Sequence, residues 1–308
     1  MPLEALTVII RALLYIDLLV MFGLVAFALY GLESAEQAIG ALSLRAGIAV
    51  LALGGLAISI LQIVAMASAM AGTPLLPVNI DAVQTLVTKT SIGKAWQMRM
   101  FALIALLPTI LLLQSRALVA LILMSVGAAV AVGSLAWAGH GAMNSGATGW
   151  VHLCADVLHL LAAAGWVGAV LALCMLLFDP RAAIDRERIA SLDRALSEFA
   201  SMGTVFVAVI LVTGLVNVWV IVGWTQLSTL PGSDYGRLLL AKVVLFLVML
   251  CLATANRFRL SPALGRARLQ GNVETALRAL QISLLLEIGC ALTILIIAAW
   301  LGTLAPTK

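Results

Sequence analysis

An all-α bundle of eight transmembrane helices is the fold class this sequence predicts, and three observations predict it. Of 308 residues, 63% are hydrophobic and only 10% charged, with a mean hydropathy of +1.15, far more apolar than a soluble domain. Apolar runs of about 20 residues, the length that crosses ~30 Å of hydrocarbon, recur along the whole chain. No segment between them is long enough for a soluble domain, so 1–308 reads as a single membrane domain.

Eight runs follow in order, near 7–31, 46–70, 96–114, 117–138, 150–177, 200–223, 236–256 and 277–302. The first carries Arg11 and Asp17 and is too long for the apolar core of a secretory signal. The third and fourth are parted only by "QSR" at 114–116. Between the fifth and sixth, "DPRAAIDRERIASLDRALSEF" mixes charges of both signs at close spacing, the pattern of a solvated helix or loop.

Basic loops stay on the cytoplasmic side. The loops after odd-numbered helices carry Arg45, Arg116, Arg181, Arg186, Arg188, Arg194, Arg257, Arg259, Arg266 and Arg268. Both termini are therefore expected on the periplasmic side. Trp96, Trp137, Trp150, Trp219, Trp224 and Trp300 fall near the same ends, where amphipathic rings favour the interface. The net charge of +4 is thus mainly a topology signal, and it does not suggest nucleic acid. Cys154, Cys174, Cys251 and Cys290 lie inside predicted helices without CxxC spacing, as small core residues do.

All three histidines sit in "WAGHGAMNSGATGWVHLCADVLHLLAAAGWVGA", residues 137–169. His152, Asp156 and His159 stand at i, i+4 and i+7, on one helical face that Ala163 and Trp166 continue. His140 closes the preceding helix on the same outer side, and the joining loop adds Met143 and Asn144. One isolated histidine would be read as hydrogen-bonding a helix end. Three together, beside an intramembrane carboxylate, point to a metal. Imidazole and carboxylate suit Cu(II) and Zn(II), with divalent copper heading the affinity order, and thioether suits Cu(I); a site drawn from His140, His152, Asp156 or His159 and a nearby methionine would take copper in either oxidation state. Met66 and Met70, one turn apart near the outer end of the second helix, could pass Cu(I) along or simply pack.

Ionisable residues inside a membrane are costly and are usually paired or functional. Asp17, Asp156 and Lys242 are expected at similar depth, with Glu287 deeper; an Asp–Lys242 ion pair that fixes helix order stands beside a direct part in transport, and Arg99 has the same two readings. "GKAWQMR" at 93–99 and "GRLLLAK" at 236–242 echo one another, and with Asp17 and Asp156 they suggest two parallel halves of four helices.

The stretches "HLCADVLHLLAAAGWVGA", "YGRLLLAKVVLFLVMLCLATANRFRLSP" and "LLLEIGCALTILIIAAWLGTLAP", with the N-terminal "RALLYIDLLVMFG", resemble the CopD family of bacterial copper-resistance inner-membrane proteins. The resemblance covers nearly the whole chain and is most specific over 137–306. It implies eight helices in the inner membrane, a periplasmic CopC-type copper carrier as partner, and passage of copper ions across the membrane. The matching positions include His152, Asp156, His159, Lys242 and Glu287.

Three functions compete on this sequence. A copper transporter would receive the ion at His140 and His152 and pass it inward through His159 and Asp156. No P-loop and no intramembrane Cys-Pro-Cys motif is present, so flow along a gradient or coupling to another ion is expected, and no enzymatic activity. A haem-binding electron carrier would need His140 with a second histidine, because His152 and His159 are about 10 Å apart along one helix. A docking subunit that holds copper for a periplasmic partner would need only the outer ligands.

Overall fold

A computed structural model gives the arrangement, describing residues 3–138, 146–178, 186–223, 230–270 and 273–304. Among them every regular element is helical. In lipid, water cannot satisfy backbone groups, so each apolar run closes its own hydrogen bonds as a helix.

Eight helices are long and apolar enough to cross a membrane. They are α1 (Leu3–Tyr30), α3 (Leu44–Ala71), α5 (Ser91–Leu112), α6 (Ala117–Gly133, continued by a 3₁₀ turn to Ala138), α7 (Gly146–Phe178), α8 (Arg186–Ile221), α9 (Asp234–Ala255) and α11 (Val273–Leu301). All eight sequence runs are found. Three short helices the hydropathy pattern does not announce, α2 (Ala35–Ala41), α4 (Ile80–Lys89) and α10 (Ser261–Gln270), lie between spans. Side-chain caps start two of these: Ser34 Oγ accepts from Gln37 N–H, and Asn79 Oδ1 from Ala82 N–H.

α1 is the central post. It has 67% of its apolar window buried, against 6% for α8 and for α9, and it packs on α3, α6, α7 and α11. The α1–α7 crossing is tight because Gly23 and Gly168 meet there: a Cβ on Gly23 would stand 2.6 Å from Gly168 Cα. Small residues let membrane helices approach to backbone contact, where dispersion replaces the missing hydrophobic drive. The start of α1 and the end of α11 lie at one end of the bundle, joined by Arg11 Nη1 donating to Gly302 O at 2.9 Å. This is called the terminal end below.

The charged stretch before the sixth span is more ordered than its composition suggests. From Arg186 it continues α8 as helix, and Leu192, Ala195, Leu196 and Phe199 are buried in the core at the end opposite the termini. Their i, i+3, i+4, i+7 spacing gives the segment an apolar stripe that its charges mask. Arg194 pairs with Glu33 at 2.5 Å, and Gln37 donates to Ser191 Oγ at 3.2 Å, tying this extension to the α1–α2 corner.

Candidate functional site

The face-sharing of His152, Asp156 and His159 becomes one wall of a cavity of about 410 Å³ between α1, α7, α8, α9 and α11. It starts at the terminal end near Val222, Tyr235, Leu301 and Gly302 and runs inward to Trp166, Phe246, Met249 and Ala291. Its lining is mostly aliphatic; the polar groups are Arg11, Tyr15, His152, Asp156, His159, Asn217, Tyr235 and Lys242, with the Trp166 indole at the inner limit. That proportion, apolar walls with a few converging polar groups, is typical of small-molecule and ion sites.

Arg11, Tyr15, Asp156, His159 and Asn217 have defined partners. His159 Nδ1 lies 3.0 Å from Thr213 Oγ1, whose own proton is donated to Val209 O at 2.6 Å. With its single proton committed, the hydroxyl can only accept from the ring, so Nδ1 carries the hydrogen and Nε2 keeps its lone pair. A metal-binding imidazole is oriented in the same way by its second nitrogen. Asp156 Oδ1 accepts from Asn217 Nδ2 at 3.3 Å. Thr213 and Asn217, one turn apart on α8, therefore brace His159 and Asp156, one turn apart on α7. Lys242 on α9 is within electrostatic reach of both Asp156 and His159, yet makes no ion pair within 4.0 Å among the described residues. The direct Asp–Lys242 pair considered from sequence is thus replaced by a gap. Arg11 lies further toward the mouth, with Nε donating to Tyr15 Oη at 3.2 Å and Nη1 to Gly302 O.

Trp166 and Phe246 meet edge to face, ring centroids 6.0 Å apart, at the cavity floor. Glu287 lies one turn of α11 beyond Ala291 and is fully buried. The Asn256 amide donates to Glu287 Oε1, whereas Oε2 has no partner among the described residues. Asn256 opens a π-helical turn, Asn256–Leu260, at the inner end of α9. Such turns often mark functional positions.

The remaining sequence-predicted residues lie elsewhere. Asp17 is buried against α3, where Gly54 and Gly55 make room for its carboxylate; a Cβ on Gly55 would come within 2.7 Å of Oδ2. Arg99 is 2% exposed and donates to Ser59 Oγ at 3.0 Å, Gln62 Oε1 at 2.7 Å and Ser134 Oγ at 3.4 Å. Met66 lines a small recess with Thr7, Ile10, Arg11, Gln62 and Ala65, so Arg11 stands between it and the histidine cavity. Met70 is 56% exposed on the outside of α3. His140 and Met143 lie outside the described residues. Among the described residues, no three His, Cys, Asp or Glu groups close on a single metal position.

Sequence reasoning missed Thr213, Asn217, Tyr15, Tyr235 and the cavity role of Arg11. "VTGLVN" at 212–217 did carry a signal, two polar side chains four residues apart in an apolar span.

Comparison with known proteins follows the two halves of the chain. The family "Copper resistance protein D-like, N-terminal domain" matches residues 2–150, and the family "Copper resistance protein D" matches 193–301. The chain is 41% identical over 304 residues to Copper resistance protein D of Pseudomonas syringae pv. tomato, covering 98% of this chain and 97% of that one. It is 30% identical over 223 residues to Inner membrane protein YebZ of Escherichia coli K12, covering 71% of each. No solved structure matches it. With both family matches, a near-full-length relative and eight apolar spans, the chain belongs to the copper resistance protein D family of multi-pass inner-membrane proteins.

Proposed function

We propose that this protein conducts copper across the inner membrane, from the periplasm inward, without ATP. Family membership supports a role in copper handling. The observation that carries the transport reading is the descent of His152, Asp156 and His159 along one cavity wall, with Glu287 one turn past the floor. A docking site would need ligands only at the mouth; here coordinating groups continue to mid-bundle.

Copper is cargo in this reading. His152 receives it near the mouth, and Asp156 and the Nε2 of His159 take it deeper. His140 and Met143, which precede α7 in sequence, are further candidate ligands for the incoming ion. Conduction requires sites favourable enough to enter and weak enough to leave, which suits two or three spaced ligands better than a closed cage. The cations at Lys242 and Arg11 set a barrier that a bare ion crosses only while held by Asp156 and imidazole. Trp166 and Phe246 form the inner gate, and Glu287 accepts the ion, or a counter-moving proton, on its far side. A periplasmic CopC-type carrier delivers copper to the terminal end, and Met66 and Met70 serve as an auxiliary thioether approach on the outer side of Arg11.

Copper flux into proteoliposomes, with Cu(I) and Cu(II) offered separately, tests this. Protein-dependent flux that falls about a hundredfold in His159→Ala, with helical content unchanged, is the expected result; bound copper without flux in the wild type sinks transport and leaves a docking subunit. Alkaline phosphatase fused after Gly146 is expected to be active and after Arg188 silent; the reverse inverts the orientation.

A further inference from the structure

The cavity wall between α8 and α9 lacks the helix-to-helix packing found around the rest of it. α8 packs on α7 and α9 packs on α11, while α8 and α9 barely touch one another. Side chains of both helices line the cavity and remain well exposed: Leu211 is 47% and Leu215 60% exposed on α8, and Val243 is 44% and Leu247 51% exposed on α9. A water-filled ion path gains nothing from four aliphatic side chains at its edge. In a bilayer this gap faces acyl chains, so it is a side portal from the lipid into the cavity.

What the portal leads to is chemically specific. Lys242 Nζ, a donor, stands within electrostatic reach of the Asp156 carboxylate and of His159, whose Nε2 is an acceptor, with no direct ion pair between Lys242 and Asp156. A group that fits among them must both accept and donate. A hydroxyl does this. A phosphodiester head group offers only acceptors to two groups that are themselves acceptors. Depth agrees: Lys242 is eight residues into α9, about 12 Å below its start, and drawing a charged head group that far from the interface is costly. Around this point the cavity presents Tyr15, Trp166 and Phe246, faces and edges against which a flat ring packs. Its volume of about 410 Å³ is within the ~300–1,000 Å³ of small-molecule sites.

We infer that the cavity binds a lipid-phase quinol, whose ring hydroxyl sits between Lys242, Asp156 and His159 and whose tail leaves through the α8–α9 portal. The site is defined by apolar access and hydrogen bonding, so it stands whether or not copper moves through the same space.

The test uses the full-length protein in nanodiscs of neutral lipid, with decyl-benzoquinol as probe and bound probe counted after subtracting protein-free nanodiscs; no copper is present, so its outcome is separate from the transport reading. Saturable binding at one site per chain is expected, weakened at least about tenfold in Lys242→Met, the loss of one charge-assisted hydrogen bond. Leu215→Trp, which narrows the portal, should slow entry and weaken binding. Leu247→Trp narrows it from the other helix and replaces Leu215→Trp should that variant misassemble. Non-saturable uptake equal to protein-free nanodiscs overturns the inference, as do wild-type affinities in Lys242→Met and in the folded portal variant. Competition by diacylglycerol as strong as by unlabelled quinol would show a general hydroxyl-lipid site and overturn the quinol assignment.

Discussion

Arg99 and the Asp156–His159–Lys242 group are both buried polar clusters in the same bundle, and they are built on opposite principles. Arg99 is surrounded by neutral acceptors at hydrogen-bonding distance from two elements: Ser59 and Gln62 on α3 and Ser134 after α6. The Trp96 indole closes the same corner by donating to Ser59 O at 2.8 Å. In the cavity, Asp156 and His159 are braced from behind by Asn217 and Thr213, while their free sides and Lys242 face a gap. Saturated polar groups hold helices together. Braced groups that face open space are prepared to meet something else.

Three substitutions sharpen that contrast. The largest effect is expected from Arg99→Met, which leaves Ser59, Gln62 and Ser134 without their donor in a dry interior; each stranded group costs ~1–3 kcal/mol, and relaxation should hold the total near 3 kcal/mol. Denaturant titration in detergent should register this loss while copper flux per folded molecule stays at the wild-type level. A flux defect larger than the stability defect would move Arg99 from scaffold to pathway.

Thr213→Val should behave oppositely. It preserves shape but removes the acceptor that fixes the His159 tautomer, so copper flux is expected to fall about tenfold, the lower end of what an outer-shell partner contributes to a metal ligand. Melting temperature should barely change. Equal flux in Thr213→Val and wild type would mean that the bracing of His159 is structural only.

Met70→Leu is the smallest expected effect. Its side chain is largely exposed on the lipid side of α3, so stability should shift by less than about 0.5 kcal/mol. Flux with Cu(I) carries the information: a selective Cu(I) loss with Cu(II) flux intact would establish Met70 as a thioether ligand, and no change would make it packing.

Most of the secondary structure was legible because a bilayer imposes a length and an apolar composition on each span, and both are local properties of the chain. The same locality hid the inner half of α8. Its buried stripe of Leu192, Ala195, Leu196 and Phe199 is diluted by charges that solvate the other face. At the site, residues on one helix were legible together: the i, i+4, i+7 spacing of His152, Asp156 and His159 follows from 3.6 residues per turn. Their partners were not. Thr213 and Asn217 are more than fifty residues away in sequence, and hydropathy carries no signal for which helices are neighbours; Lys242 was legible as a buried charge, but not as a wall of the same cavity.

By itself, then, the sequence determined an eight-span helical membrane protein and one polar helical face, because turn geometry and lipid solvation act within a segment. The tertiary structure alone decided that Asp17 belongs to the Gly54–Gly55 crossing instead of to Lys242, that Arg11 stands between the methionines and the histidines, and that α8 and α9 remain apart. Those outcomes depend on which small residues let which helices touch, as Gly23 and Gly168 do for α1 and α7. Packing of that kind is a property of pairs of surfaces, fixed only once the whole bundle has closed.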